Sequence, residues 1–446
     1  MRRFGGQRRV SVAVLALIYG LGAGVTALAQ DRADGGLLAD VEQAAEAPSL
    51  STEPAMDPTV ERGLYLATAA NCVACHTAPG GAPLAGGLPF KTDFGTIYST
   101  NITPDAESGI GGWTLDQFER ALRHGVRPDG AHLYPAFPYT SFTHITDADV
   151  ADLYAWLMAT APVSADTVRN DMRFPFNQRW LMRFWNMMFF RPERFAPDEG
   201  RSAEWNRGAY LVEALAHCTA CHTPRNGLGA ERTELAYGGG VYTDRVPSGN
   251  YRRWSAPNLT SAANGLASWS VEELVAYLHT GKNSHAASFG PMNEVVMDST
   301  RRLAGDDVRA MAIYLKALPP VENASLTTMS DQERGRGQTI YDLHCGTCHQ
   351  PTGLGAPEMG ARLDDSLIVQ AADPSSLLNV IIYGPELSDP PPPVGEWGQM
   401  PSFNHKIEDD EIALLATFLR HEWGNTGGRV TVEQVEAQRP PYDSDF

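Results

Sequence analysis

The sequence predicts an all-α protein built from three tandem copies of one small helical unit, and three observations carry that expectation. The six cysteines fall into three pairs of identical spacing, Cys72/Cys75, Cys218/Cys221 and Cys345/Cys348. The segments flanking each pair echo one another, the mark of an internal repeat. Apolar alternation with a period of two, which would indicate half-buried strands, is almost absent. At 446 residues the chain has room for about three domains of ordinary size.

Residues 1–29 read as an export signal, with four Arg, an apolar run from Val10 and the small-residue site Ala27-Leu28-Ala29. The same run is almost long enough to be an uncleaved membrane anchor. Cleavage would remove four Arg and no acid, leaving 31 Lys and Arg against 53 Asp and Glu, a net charge of −22 rather than −18. So acidic a chain is not a nucleic-acid binder, and it suits basic docking surfaces. No later apolar run reaches spanning length. Residues 30–57, rich in Ala, Asp and Glu, are expected to form a flexible lead.

The first repeat is placed at 58–165, the second at 201–322 and the third at 323–425. Their cysteine pairs read NCVACHT, HCTACHT and HCGTCHQ. Each is C-x-x-C-H, the attachment signature of c-type haem. Two thiols on one helical turn can add to the two vinyl groups of a haem, and the next residue, His76, His222 or His349, projects an imidazole at the iron. A zinc site would draw four ligands from two such pairs, and a redox pair would need only one copy. No cysteine is left for a structural disulfide despite the oxidising compartment that export implies. The sequence therefore predicts three covalent haems.

Arg62-Gly63-Leu64-Tyr65-Leu66 precedes the first motif, Arg207-Gly208-Ala209-Tyr210-Leu211 the second, and Arg336-Gly337 with Tyr341 is a weaker echo before the third. Asn101-Ile102-Thr103 leads to Trp113 as Asn258-Leu259-Thr260 leads to Trp269. By repeat position Asn101 and Asn258 are candidates to hold haem propionates. A helical stretch ends at Gly125, Gly281 and Gly384 in turn. Each repeat closes on an amphipathic helix with acids in its first turn, TDADVADLYAWLMA, AGDDVRAMAIYLKAL and EDDEIALLATFLRHE.

Each such unit resembles class I cytochrome c, and that resemblance implies a sixth iron ligand, usually Met, from the loop before each closing helix, where a neutral thioether raises the potential. Met292 in FGPMNE fills that place in the second repeat, with Met297 as its competitor. Met400 in GQMPSF, after the stiff run Pro390–Pro393, fills it in the third. The first repeat has Phe137, which cannot ligate iron. Its haem is either five-coordinate or takes a ligand from elsewhere, with His132, His144 and Met158 as candidates. A His ligand would lower its potential, and an open site would invite peroxidase-like chemistry. His124, His217, His279 and His344 are read as structural.

Residues 166–200 form an expected amphipathic linker. Within 170–195, Phe176, Trp180, Phe184 and Met187 or Met188 follow helical spacing beside Arg173, Arg179, Arg183, Arg191 and Arg194. The apolar part, as a helix of roughly 21 Å, is too short to span a bilayer. It reads either as an interfacial helix on a membrane surface or as a strap packed against protein. Residues 426–446 read as a polar tail.

The chain resembles class I cytochrome c in each repeat. Over about 58–425 it resembles the three-haem cytochrome c subunits of bacterial membrane-bound periplasmic dehydrogenases, on the three motifs, GPMNEVV and GQMPSF. WNRGAYLVEALAHCTACHTPRNGLGAE and YPAFPYTSFTHITDADVADLYAWLMA are most similar to the branch partnered with molybdopterin hydroxylases, including aldehyde and nicotinate-type dehydrogenases. Alcohol and gluconate subunits typically carry Met where this chain has Phe137. The resemblance implies a non-catalytic electron-transfer subunit on the outer face of the cytoplasmic membrane. Its partners would be a catalytic dehydrogenase subunit and a small iron–sulfur subunit, and its acceptor ubiquinone. A quinoprotein alcohol or flavin sugar dehydrogenase is the alternative partner, a soluble multihaem shuttle the alternative role.

Overall fold

Each repeat begins and ends with a helix, and the paired helices cross at a glycine. The entry helices are Pro58–Ala69, Ala203–Tyr210 (extended by a wider turn, Leu211–Leu215) and Asp331–His344. The exit helices are Asp147–Ala159, Gly305–Lys316 and Asp409–Leu419. Side-chain caps start most of them: Asp57, Thr146, Ser202 and Ser330 each accept a hydrogen bond from a first-turn amide. At Gly63, Gly208 and Gly337 a Cβ would collide with the Asp152 carbonyl, the Ala310 carbonyl and the Phe418 side chain. The repeated glycine is therefore the contact point of two helices. The preceding arginines lock the first two crossings, Arg62 by a two-pronged pair to Asp152 (2.8 and 3.1 Å) and Arg207 by one to Asp307 (2.8 and 2.6 Å). In the third crossing Arg334 pairs with Glu422 instead.

The coordinates are a computed structural model that describes residues 56–246, 249–323, 327–385, 397 and 400–439. The expected export signal, nearly all of the lead and the Pro390–Pro393 run lie outside the described residues. The first two repeats share one apolar core, from Leu66 and Phe142 to Leu211, Trp269 and Met311. They exchange equivalent hydrogen bonds. Tyr65 donates to Asp307 (2.6 Å) and accepts from the Ala304 amide, while Tyr210 donates to Asp149 and accepts from the Thr146 amide. The third repeat has its own core around Tyr341, Ile382 and Phe418.

The chain is helix-rich but not all-α. Strands β1 (Pro89–Thr92), β2 (Gly95–Tyr98) and β3 (Asp171–Met172) form one antiparallel sheet, and β4 (Gly240–Arg245) pairs with β5 (Tyr251–Ala256). The β1–β2 hairpin is half-buried on both faces, so it lacks the polar–apolar alternation by which strands are recognised. The hairpins join the repeats. Lys91 lies over the Tyr251 ring at 4.1 Å. Ser255 and Ser376 exchange amide-to-hydroxyl bonds (3.0 and 3.1 Å), and Arg253 pairs with Asp373, tying β5 to the helix Ser375–Tyr383.

The expected polar tail is packed as far as Arg439. Helix Val432–Glu436 buries Val435, and the wholly buried Arg420 donates to the carbonyls of Gly428, Val369 and Ala371 at 2.7–2.8 Å. On the tail side the apolar contact comes from Val430, Val432 and Val435, too few to register as an amphipathic pattern.

Gly208→Ala is expected to destabilise the holoprotein by about 1–3 kcal/mol through overpacking at the crossing, seen as a lowered thermal midpoint. Gly335→Ala, where a Cβ meets nothing within 4 Å, should stabilise by about 0.4–1 kcal/mol. Equal effects at the two positions would refute the crossing argument.

Candidate functional site

A break in the backbone sets up the first two cysteine turns. Asn71 (φ 51°) and His217 (φ 39°) adopt the left-handed conformation between entry helix and motif. Each motif then winds into a single turn, Cys72–His76, Thr219–His222 and Gly346–His349. Residues three and four apart share a face of such a turn, which gathers two sulfurs and an imidazole. After it the chain reverses, and a glycine amide donates to the carbonyl of the motif histidine in all three repeats: Gly86 to His76 (2.7 Å), Gly239 to His222 (2.9 Å) and Gly355 to His349 (3.0 Å). All three glycines have positive φ, between 66° and 98°, which other residues adopt only with strain.

The same loops supply the acceptor for each imidazole. His76 Nδ1 donates to the Thr100 carbonyl at 2.7 Å, His222 Nδ1 to that of Pro257 at 2.8 Å, and His349 Nδ1 to that of Ala361 at 2.7 Å. A carbonyl can only accept, so the proton sits on Nδ1 and the Nε2 lone pair is left for a metal. Burial lowers the pKa of all three rings and holds them neutral. Burial also pushes the Cys72, Cys218 and Cys345 thiols up to about 12.

The two cysteines of a motif are not equally sheltered. All six are free of disulfides, as expected. In the second repeat both Cys218 and Cys221 are half-buried, whereas Cys75 and Cys348 are exposed. In the third repeat Cys345 packs on the core, while Cys348 is exposed.

Around the first motif lies a cavity of about 1570 Å³ bordered by Cys72, Cys75 and His76, with apolar walls that include Trp113, Phe118, Phe142 and Leu153. The cavity runs on to Cys221 and Tyr242 of the second repeat. Two sulfurs at its edge, one imidazole with a free Nε2 and an apolar interior fit a haem, the group that a c-type motif implies.

The structure separates the candidate sixth ligands. Met292 packs, half-buried, on the core that also holds Cys218. Gly290 (φ +53°) lies against the Trp254 ring and turns the chain into it. The sulfur of Met297 instead accepts from Arg301 at 2.9 Å, at the surface. Met400 packs on the third core with Cys345. Phe137 lines the first cavity with its ring 5.4 Å from Phe142. His132, His144 and Met158 do not line that cavity. His217 does, wedged 5.6 Å from Phe142.

Asn101 and Asn258 are committed to protein partners. Asn101 donates to Ser108 and the Val163 carbonyl and accepts from the amide and hydroxyl of Thr103. Asn258 donates to Asn264 and the Val321 carbonyl and accepts the same two bonds from Thr260. The Asn-x-Thr repeat ties the haem-side loop to the chain leaving the exit helix, and no amide proton is left for a propionate. The residues that sequence reading missed are the three glycines and the three residues whose carbonyls hold the imidazoles. Unequal loop lengths hide the glycines, and a main-chain acceptor has no side-chain signal.

The cytochrome c family model matches residues 60–161, and that of cbb3-type cytochrome c oxidase subunit III matches 332–419. The chain is 38% identical over 405 residues to the cytochrome c subunit of alcohol dehydrogenase (quinone) from Gluconobacter oxydans, covering 87% of this chain and 83% of that protein. It is 38% identical over 403 residues to the gluconate 2-dehydrogenase cytochrome c subunit of Pantoea cypripedii, covering 86% and 90%. Against a nicotinate dehydrogenase subunit of Pseudomonas putida it is 44% identical over 376 residues, or 82% of this chain. It spans only 30% of that relative's length.

Two substitutions test this geometry. Met292→Leu should abolish the near-infrared thioether-to-ferric-iron band of one haem and lower its potential, while Met297→Leu leaves both unchanged; the reverse pattern would reassign the ligand. Asn258→Ala should cost about 1–3 kcal/mol of stability with haem content per folded chain unaltered, and a loss of haem instead would return Asn258 to the propionates.

Proposed function

This chain belongs to the cytochrome c subunits of dehydrogenases, and from that premise we propose that it carries three covalent haems and relays electrons from a catalytic partner to ubiquinone. The observation that carries the proposal is the threefold recurrence of a half-buried imidazole tied through Nδ1 to a main-chain carbonyl, beside two cysteines on one turn. When bound, haem supplies one-electron chemistry. The protein's own residues do the rest. Cys72, Cys75, Cys218, Cys221, Cys345 and Cys348 offer the attachment thiols. His76, His222 and His349 would ligate the iron, and Met292 and Met400 would offer thioethers to it in the second and third repeats. The apolar walls exclude water. The cavity that joins the first motif to Cys221 leaves no thick layer of protein between the first two centres.

The catalytic partner fits the molybdopterin branch, with a small iron–sulfur protein standing between substrate and haems. That assignment rests on the likeness to the nicotinate dehydrogenase subunit and on Phe137. The protein sits on the periplasmic face of the membrane. Among the described residues no helix is long and apolar enough to cross a bilayer. The linker offers a peripheral contact: Phe174, Trp180, Phe184, Met187 and Met188 are exposed, with Arg173 and Arg183 exposed between them. Its other face is packed as a strap, so the two expected roles of the segment fall on opposite sides.

The test is purification with native partners from detergent-solubilised membranes. Three haems per chain by pyridine haemochrome, molybdenum, an iron–sulfur subunit and quinone reduction are expected. Pyrroloquinoline quinone or flavin in place of molybdenum would move the partner to the alcohol or sugar dehydrogenases. A haem count other than three would overturn the relay.

A further inference from the structure

The first repeat has lost the thioether of its own loop, and the structure shows what that loop grips instead. Tyr134 donates to the Phe176 carbonyl at 2.8 Å, and Arg179 donates to the His132 carbonyl at 2.9 Å with its guanidinium 4.6 Å from the Tyr134 ring. Tyr139, wholly buried, donates to Asn186 at 2.6 Å. Trp185 packs on Tyr139 and donates to the Leu228 carbonyl at 3.0 Å. The helix Met182–Phe189 is thus pinned against the loop that carries Phe137. At the start of this helix Met182, half-buried, joins Phe137 on one apolar cluster and borders the cavity of the first motif.

The geometry points to Met182 as the sixth ligand of the first haem, delivered by the linker from beside Phe137. This inference rests on the three-haem reading. Besides His76, the thioether and imidazole groups that line the cavity are Met172, Met182, Met188 and His217. Met172 sits on β3, which pairs with β2. Its cross-strand partner is Gly95, at the end of β2 away from Thr100, and it lies outside the apolar cluster that Met182 and Phe137 share. Met188 is 51% exposed on the last turn of the linker helix. His217 is bound into the second motif as the residue before Cys218, with its ring on Phe142. Of these four, Met182 alone is half-buried, lines the cavity and packs on the same apolar cluster as the residue that stands in the ligand position. A thioether from the linker gives the first haem the same His/Met donor set as the others, and so a high potential rather than the low one a His ligand would impose. Phe137 then acts as a positioning residue, filling the vacated volume and backing the new ligand.

The experiment uses the full-length holoprotein, with haem counted on every sample. Near-infrared magnetic circular dichroism and electron paramagnetic resonance read the ligand sets. Wild type should show thioether bands from three low-spin haems. Met182→Leu should lose the band of one haem and convert it to a high-spin or otherwise altered signal. Met172→Leu and Met188→Leu should retain all three bands. Met182→His should keep that haem low-spin with a lowered potential, and it decides the matter if the Leu variant does not fold. Bands from only two of three haems in the wild type, or three surviving in Met182→Leu, would overturn the assignment. So would loss of a band in the Met172 or Met188 variant. Fewer than three haems per chain would instead defeat the three-haem reading.

Discussion

Each motif imidazole is anchored by one hydrogen bond, from Nδ1 to a main-chain carbonyl, and the surrounding architecture serves to put that carbonyl in place. Thr100, Pro257 and Ala361 sit at different distances along the chain from their histidines, so the bond cannot come from local sequence. It comes from a loop that reverses at a positive-φ glycine, bonds back to the histidine's own carbonyl and returns past the ring. In the first two repeats Asn101 and Asn258 then stitch the returning strand to the end of the exit helix. The helix crossing at Gly63 or Gly208 closes the far side. A ring held in one tautomer and one orientation presents the same lone pair whether iron is oxidised or reduced.

The sequence made the chemistry legible because attachment is local. Two thiols and an imidazole must share one turn, and no fold can move them apart. What spacing could not convey is how each sulfur is sheltered, with Cys221 half-buried where Cys75 and Cys348 are exposed. The helix crossings were half legible: the Arg-Gly-x-Tyr pattern marked equivalent positions, but their meaning lies in Asp152, Ala310 and Asp307, far away in the chain. Met292 and Met400 could be singled out by counting from a glycine, and they pack on the cores that also hold Cys218 and Cys345. The linker could not, since Phe176, Trp180 and Phe184 advertise a face that turned out to be exposed or only partly covered, while Trp185 and Met182 on the other side make the contacts. The first hairpin escaped because it is half-buried on both faces, and the packed tail because its partner is an arginine. Arg420 is fully buried among carbonyls, and buried cations are rare enough that sequence patterns read them as surface.

The repeats are joined by two kinds of contact. Between the first and second lies a continuous apolar core, which favours close approach and a common cavity. The third repeat adds Leu367 to that core, and its other contact with the second is a strand edge against a helix end, made of serine hydroxyls, an asparagine amide at Asn379 and an ion pair at Asp373. Polar, directional contacts of this kind fix orientation with less buried surface. They leave the third repeat with a core of its own.

The mirrored tyrosines carry a further consequence. When Tyr65 reaches Asp307 while Tyr210 reaches Asp149, equivalent residues make equivalent contacts in both directions. That is an isologous interface, the kind by which two identical subunits form a twofold dimer. Here the two halves share one polypeptide, so their encounter is intramolecular and dilution cannot separate them. The tether also frees the halves to diverge, because a change in one is no longer imposed on its twin by symmetry. Phe137 on one side and Met292 on the other record that freedom.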